Sequence, residues 1–393
     1  MTPMRKAVRN AAAVKKSNRL DIISLVLQGP VSRAEIARRT GLTRAAVTII
    51  VDRMIQDGVL VEAGERTQEK GRNARMLHIQ EQRHLFMGID IHRNGYSLGI
   101  TDLRGQTIRI KRAGLAPDQS FDQFMDIIAV EVNSLHQELE QADRLQGIGI
   151  SVPGPVDYHT GQTLNPPHFD LLRDQNVLSS LKDKLPVPAW VENNAAARTL
   201  FELYAGLGRS YRNFMVLIVD TGVGSGLVLD GRLYRGSGFA GEIGHMSINR
   251  EGPVCVCGNR GCLEGYAAVP ALLSQVEAFN NITSWQELVD GAESGDVGCL
   301  TTIETEAGNL AQGIVNATNL LDLEAVILTG DVVYKPILLL QSVDRLVQAA
   351  RIARQAHALA IKAAVYREDA GMAGAAMIAM NRFFEGQTIN NAG

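Results

Sequence analysis

Cysteine is scarce in this chain, with four in 393 residues. That excludes the dense disulfide framework of a small secreted domain. Three of the four lie between positions 255 and 262, and Cys299 stands apart as an ordinary thiol. Such clustering reads as reduced, metal-ligating thiols in a cytoplasmic protein. Long apolar runs are missing too. No stretch approaches the roughly 18 consecutive apolar residues of a membrane span, so no membrane insertion is expected. The first twenty residues are basic and have no apolar core segment, which argues against a secretory leader. Net charge is slight, −3 at pH 7, but unevenly spread. Residues 1–80 carry 15 Lys/Arg against 7 Asp/Glu, and the remainder carries 24 against 35. A basic amino-terminal module on an acidic body points to an anionic partner for the module, nucleic acid first. The length fits two or three domains.

The densest chemistry lies between Gly241 and Glu264. His245, Cys255, Cys257 and Cys262 supply one imidazole and three thiols, the set a closed tetrahedral Zn2+ site needs. Gly258 and Gly261 sit where a chain bending round an ion needs permissive backbone. Glu242 and Glu264 flank the cluster and are not needed by the metal.

The amino-terminal module reads as three short helices and a wing. Residues 1–16 are expected to form a basic arm, and 17–80 a winged helix-turn-helix. Asn18–Gln28 is apolar on one face and stops at Gly29-Pro30. Ser32 with Glu35 three residues on has the pattern of a capping box. Arg33–Arg39 ends at Thr40-Gly41. Thr43 caps a third helix, Arg44–Asp57, with Val47, Ile50, Val51 and Met54 inward. Val59–Glu62 and Arg75–Ile79 read as strands joined by the polar loop Gly64–Asn73. The third helix is the one that enters the major groove of double-stranded DNA in this motif. Thr43, Arg44, Ala45 and Thr48 are then candidate base contacts, with Lys70, Arg72 and Arg75 reaching the backbone or minor groove.

From residue 85 the pattern is α/β. Strands Leu85–Ile91, Tyr96–Thr101 and Thr107–Ile110 precede an amphipathic helix, Phe121–Glu140. Ile148–Val152 runs into Pro153-Gly154-Pro155, and Ala189–Asn194 is a strand ending in polar residues. Phe214–Asp220 and Gly226–Leu229 open a second series, followed by mostly helical sequence from Glu264 to Asn319. A short strand at Ala325–Thr329 and a small-residue helix at Gly371–Asn381 complete it. Hairpin strands followed by alternation with helices occur twice, which argues for two related halves with a cleft between them.

G-E-I-G-H (241–245) followed by C-V-C-G-N-R-G-C-L-E (255–264) resembles the ROK family (repressors, open reading frames, kinases). Together with the helix-turn-helix, the chain is similar to its regulator branch, of the NagC/XylR type. The resemblance covers essentially the whole chain. It implies a two-lobed, actin-like sugar-kinase fold over residues 85–385. Lobe 1 would take about 85–195 plus the carboxy-terminal helix, and lobe 2 about 196–370.

A kinase of that family has Asp-x-Gly-Gly-Thr after its first strand. Here Asp90 is followed by Ile91-His92-Arg93-Asn94, so the phosphate cradle is missing. The family's general base is the Asp of Glu-Asn-Asp, whereas this chain has Glu192-Asn193-Asn194, and an amide cannot take that proton. Thr221–Gly226 partly keeps a second phosphate loop, but also reads as a tight hairpin. Leu328-Thr329-Gly330-Asp331 keeps only one glycine of a triplet. No catalytic residue is therefore expected. The family's sugar-gripping positions correspond to Asn193, Asn194, Glu242, His245 and Glu264. The turn Pro153–Val156 and Asn165 are expected to line the same cleft. The resemblance thus implies a sugar-responsive DNA-binding regulator, a homodimer or homotetramer with structural zinc. A sugar kinase fused to a DNA-binding domain, and a DNA-binding protein with a ligand-free docking body, are the alternatives.

Overall fold

The computed structural model describes residues 11–66, 74–167, 169–275, 282–353, 355–365 and 367–386. The chain divides into two compact units. Unit 1 comprises residues 1–192 and 371–393, and unit 2 comprises residues 193–370.

Unit 1 begins with helix α1 (Ala11–Gln28), then β1 (Val31–Ser32), α2 (Arg33–Thr40), α3 (Arg44–Gln56) and the wing strands β2 (Leu60–Arg66) and β3 (Ala74–Ile79). Helix α1 starts earlier than expected, so residues 11–16 belong to it and not to an arm. The run Ala11-Ala12-Ala13 has the strongest helix propensity available, and an ion pair from Lys16 to Glu385 at 2.6 Å holds that end. Residues 1–10 lie outside the described residues. Ser32 caps α2 by accepting the amide of Glu35 at 3.2 Å. The reciprocal half of the capping box is not made, because the Glu35 carboxylate turns to Arg38 instead. Gly41 closes α2 at φ +72°. Helix α3 buries Val47, Val51 and Met54, as amphipathic spacing requires. The wing has a third strand, since β1 pairs antiparallel with β3 and the sheet order is β1-β3-β2.

The rest of unit 1 is a five-stranded sheet. Its strands are β4 (Leu85–His92), β5 (Gly95–Thr101), β6 (Thr107–Gly114), β7 (Leu145–Val152) and β10 (Ala189–Asn193), in the order β10-β7-β4-β5-β6. A two-stranded ribbon, β8 (Val156–Asp157) with β9 (Gln162–Thr163), follows β7. Helix α4 (Phe121–Gln137) has a full capping box at Ser120 and Gln123. Its face of Phe124, Ile128 and Val132 packs with Ile89, Leu98 and Ile150 of the sheet, and the short helix α5 (Val177–Leu181) joins that core.

Unit 2 opens with α6 (Asn194–Tyr204) and repeats the strand plan. Strands β11 (Phe214–Val219), β12 (Val223–Leu229), β13 (Arg232–Tyr234), β14 (Ala325–Gly330) and β15 (Ala360–Ala363) run in the order β13-β12-β11-β14-β15. In both sheets a first strand has an antiparallel hairpin on one side and a parallel strand on the other. Helices α7 (Glu264–Ala267), α8 (Val269–Leu273), α9 (Trp285–Glu293), α10 (Val297–Leu321) and α11 (Ile337–Ala350) cover this sheet. Leu217, Leu263, Trp285 and Ile314 sit together in the resulting core.

Helix α12 (Ala370–Phe384) belongs to unit 1. Its small-residue face is explained by close approach. A methyl group on Gly149 would stand 1.8 Å from Ala375 O, and one on Gly88 would stand 2.0 Å from Met372 O. Backbone lies almost on backbone there, so Gly88 and Gly149 cannot carry a side chain.

Candidate functional site

Two sites emerge, one in each unit. In unit 1, Thr43 caps α3 by accepting the amide of Ala46 at 3.2 Å. This fixes the start of the helix, and Thr43, Arg44, Ala45 and Thr48 all face solvent. The opposite face of α3 is buried, so the domain presents a rigid polar edge. Arg33 braces it from α2, pairing with Asp52 of α3 at 2.7 Å and Glu62 of the wing at 2.8 Å. Arg75 is exposed and lies 3.6 Å from Glu62. Lys70 and Arg72 lie outside the described residues. An open groove of about 1040 Å³ runs beside the start of α3, with Arg38, Arg39 and Arg44 among its lining residues. Three guanidiniums around a groove suit a phosphate backbone. Ile49 is 70% exposed on α3, a position the sequence pattern alone does not mark. Its only trace there is an apolar residue beyond what one buried helix face needs.

In unit 2 the His/Cys stretch folds back on itself. Cys255 N–H donates to Asn259 O at 2.8 Å, Gly258 N–H to Cys255 O at 2.9 Å, and Ser247 bridges to Cys262. Gly261 has φ +61°, and a methyl group there would meet Asn249 O at 1.7 Å. Only glycine satisfies both demands. As a result the ligand atoms of His245, Cys255, Cys257 and Cys262 all lie within 4.8 Å of one another, a cluster that can hold a metal ion. His245 Nδ1 is 3.6 Å from Cys255 Sγ, and Cys257 Sγ is 3.7 Å from Cys262 Sγ. Burial pushes the Cys262 thiol up to about 12, while the backbone amide of Asn259 leads the lowering of Cys257.

The other candidate residues of unit 2 converge on the first half of β12. The start of α6 packs there: Gly224 faces Ala195 Cβ, and a methyl group on Gly226 would meet Thr199 Oγ1 at 2.1 Å. Ser225 N–H and Oγ both donate to Gly241 O, at 3.1 and 2.8 Å. The turn Ile243–His245 passes Val223 so closely that Gly244 has no room for a side chain. Val223 N–H donates to Glu264 Oε2 at 3.0 Å. Residues 223–226 thus contact the start of α6 next to Asn194, the Gly241–His245 turn and Glu264. The glycines of Thr221–Gly226 serve a hairpin, closed by Asp220 N–H to Gly222 O at 3.0 Å. Glu242 is exposed, yet burial of its carboxyl raises its pKa; His245 opposes the shift and Glu264 adds to it. Asn193 spends its side-chain carbonyl as the cap of α6, accepting from Ala196 at 2.7 Å.

Near the hairpin, Asp331 is raised by burial and then by Asp220, with Arg198 opposing. In unit 1, Asp90 accepts from Ser151 Oγ at 2.7 Å. Arg93 donates twice to Pro167 O, at 3.1 and 2.9 Å.

Fold and sites together define a winged helix-turn-helix DNA-binding domain joined to a sugar-kinase-type body. The chain belongs to the ROK family, which matches residues 86–382. A winged helix-turn-helix DNA-binding family matches residues 16–61. The chain is 32% identical to the xylose repressor of Bacillus spizizenii over 335 residues, covering 84% of this chain and 86% of that protein. A crystal structure of a ROK family transcriptional regulator, a homologue of the E. coli MLC protein, matches with a TM-score of 0.77 at 24% identity, over 95% of this chain and 97% of that one. The ROK hexokinase of Thermus thermophilus matches with a TM-score of 0.64 at 27% identity, over 76% and 99%. No helix among the described residues is long and apolar enough to cross a membrane.

Proposed function

We propose that the chain is a sugar-responsive transcriptional repressor that holds operator DNA and releases it when a small carbohydrate binds in unit 2. The observation that carries this reading is the meeting of the start of α6, the Gly241–His245 turn and Glu264 on residues 223–226, in a chain whose α3 leaves Thr43, Arg44, Ala45 and Thr48 exposed. Its relatedness to a xylose repressor supports the same reading. Sugar hydroxyls both donate and accept, and carboxylates beside amides answer both needs. Asn193 contributes through its amide N–H groups, since its carbonyl is committed to the helix cap.

The four-ligand cluster is assigned to zinc. Zn–S bonds of about 2.3 Å and a Zn–N bond of about 2.0–2.1 Å, at tetrahedral angles, place S···S about 3.8 Å and S···N about 3.6 Å apart. The Cys257–Cys262 and His245–Cys255 separations of 3.7 and 3.6 Å support this assignment, with all four ligand atoms within 4.8 Å of one another. When bound, the ion supplies no chemistry and stiffens the loop between Glu242 and Glu264. With Nδ1 turned to the cysteines, His245 presents Nε2 to a hydroxyl.

Phosphoryl transfer is not assigned. Asn194 cannot act as the base, and Arg93, committed to Pro167 O, stands in the segment that replaces the phosphate loop. The repressor acts in the cytoplasm as a homodimer or homotetramer, because paired half-sites need paired helices. Sugar and DNA then oppose one another with a coupling of about 1–3 kcal/mol.

The test is thermal unfolding of the zinc-loaded protein with D-xylose, D-glucose, N-acetyl-D-glucosamine and the two hexose 6-phosphates, with and without Mg-ATP. A sugar at a hundred times its Kd adds about 2.7 kcal/mol of stability. A shift with one sugar, none with Mg-ATP, and weakened operator binding with that sugar are expected. A shift with Mg-ATP, or silence across the panel, would count against the reading.

A further inference from the structure

The last turn of α12 touches both ends of unit 1. Arg382 is largely buried between two carboxylates. Its Nη2 lies 4.0 Å from Glu192 Oε1, and its Nη1 lies 3.8 Å from Glu385 Oε2. The guanidinium lies over the ring of Tyr158, 5.8 Å from its centroid, and its Nε is buried with no hydrogen-bond partner. Glu385 is steadied by Asn381, which donates to Oε1 at 3.2 Å, and pairs with Lys16 of α1 at 2.6 Å. Charge therefore alternates along Glu192, Arg382, Glu385 and Lys16. One end is peptide-bonded to Asn193-Asn194, where the proposed effector set begins. The other end is the first helix of the DNA-reading domain. The neighbouring Phe383 makes a second link. Its ring lies 4.8 Å from that of His84, whose Nε2 is 2.7 Å from Asp57 O at the end of α3.

We infer that Arg382 is a positioning residue through which the effector site sets the hold of α12 on the DNA-reading domain. This rests on the repressor reading above. The guanidinium is farther than a hydrogen bond from each carboxylate, so it is shared and committed to neither. A small displacement of Glu192, as sugar engages Asn193 and Asn194, draws Arg382 toward or away from Glu385. That changes the grip of Glu385 on Lys16. Arg382 and its two carboxylates are largely shielded from water, so salt screens them little; Lys16, at the outer end, is more exposed. Removing the cation takes away a positive charge that both nearly buried carboxylates share.

The experiment uses the full-length, zinc-loaded chain and a duplex selected by that chain from a random pool. DNA affinity is measured by anisotropy with and without each sugar of the panel, and sugar affinity by calorimetry. The wild-type chain should lose about 5–150-fold in DNA affinity on saturation with its sugar. Arg382→Gln should bind the sugar within about threefold of wild type, yet its DNA response should fall below about twofold. Arg382→Lys should recover part of the response. Lys16→Gln, at a more exposed position that disturbs no core, should also shrink the response, and the double variant should do no more than either single one. A full wild-type response in both Arg382→Gln and Lys16→Gln, with sugar binding intact, overturns the inference and leaves the repressor reading standing. A wild-type chain that binds DNA but answers to no sugar overturns that reading, and this inference with it.

Discussion

Glu264 Oε2 accepts the amide proton of Val223 at 3.0 Å, so the carboxylate two residues after Cys262 is seated in the hairpin opposite Gly222. Glu264→Gln keeps an acceptor for that amide and loses only the charge. We expect sugar affinity to fall by about 1.5–3 kcal/mol, the worth of a hydrogen bond to a charged group, with DNA affinity in the absence of sugar unchanged. Calorimetry with the responsive sugar reads it directly. Unchanged sugar affinity would remove Glu264 from the effector set.

The metal loop gives a second prediction. Cys262 is buried and Cys257 exposed. Cys262→Ser should abolish stoichiometric zinc in elemental analysis, lower Tm, and weaken both sugar and DNA binding. Because a thiol must lose its proton to bind the ion, zinc should be released as pH falls. A Cys262→Ser protein that retains one zinc per chain would remove Cys262 from the ligand set.

His84 links the DNA-reading domain to α12 and gives a pH dependence. Burial holds its pKa below the ordinary 6.5; Arg83 and Arg19 add to the effect, and Asp57 opposes it. Below pH 6.5 the unfolded chain therefore takes up a proton that the folded chain refuses. The stability contributed is full above 6.5 and is lost as pH falls from there toward the lowered value. A Tm profile from pH 8 to 5 should decline more steeply for wild type than for His84→Gln. Parallel profiles would refute this.

On the reading helix, Thr43→Ala removes the cap and should cost about 1 kcal/mol of stability. Arg44→Ala leaves the fold intact and should cost about 1–3 kcal/mol of operator affinity while relaxing preference at one base pair. Denaturant unfolding and binding to a panel of mutated operators separate the two effects.

What could be read from the sequence was chemistry held close together in the chain. The His/Cys cluster that can hold a metal spans His245 to Cys262, and the cap at Thr43 acts on Ala46, so both lie within reach of local spacing. The missing pieces depend on distant partners. Strand β1 is two residues long and exists because Val31 and Ser32 pair with Leu77 and Met76. Residues 1–16, basic and weakly patterned, read as an arm because the anchor that extends α1 into them, Glu385, is at the other end of the chain. The gathering of α6, the Gly241–His245 turn and Glu264 on Val223–Gly226 could not be inferred without the register of β12.

Val47, Val51 and Met54 of α3 are fully buried, whereas Ile49 on the same helix is 70% exposed. Ile49 stands one turn beyond Ala45, beside Arg44 and Thr48, and holds nothing in the core. The two faces therefore answer to separate physical demands. Duplicated copies of such a gene can drift at 44, 45, 48 and 49 and acquire new operators without loss of stability. The inward face permits almost no change in size, so variation in α3 is expected to fall on its exposed positions.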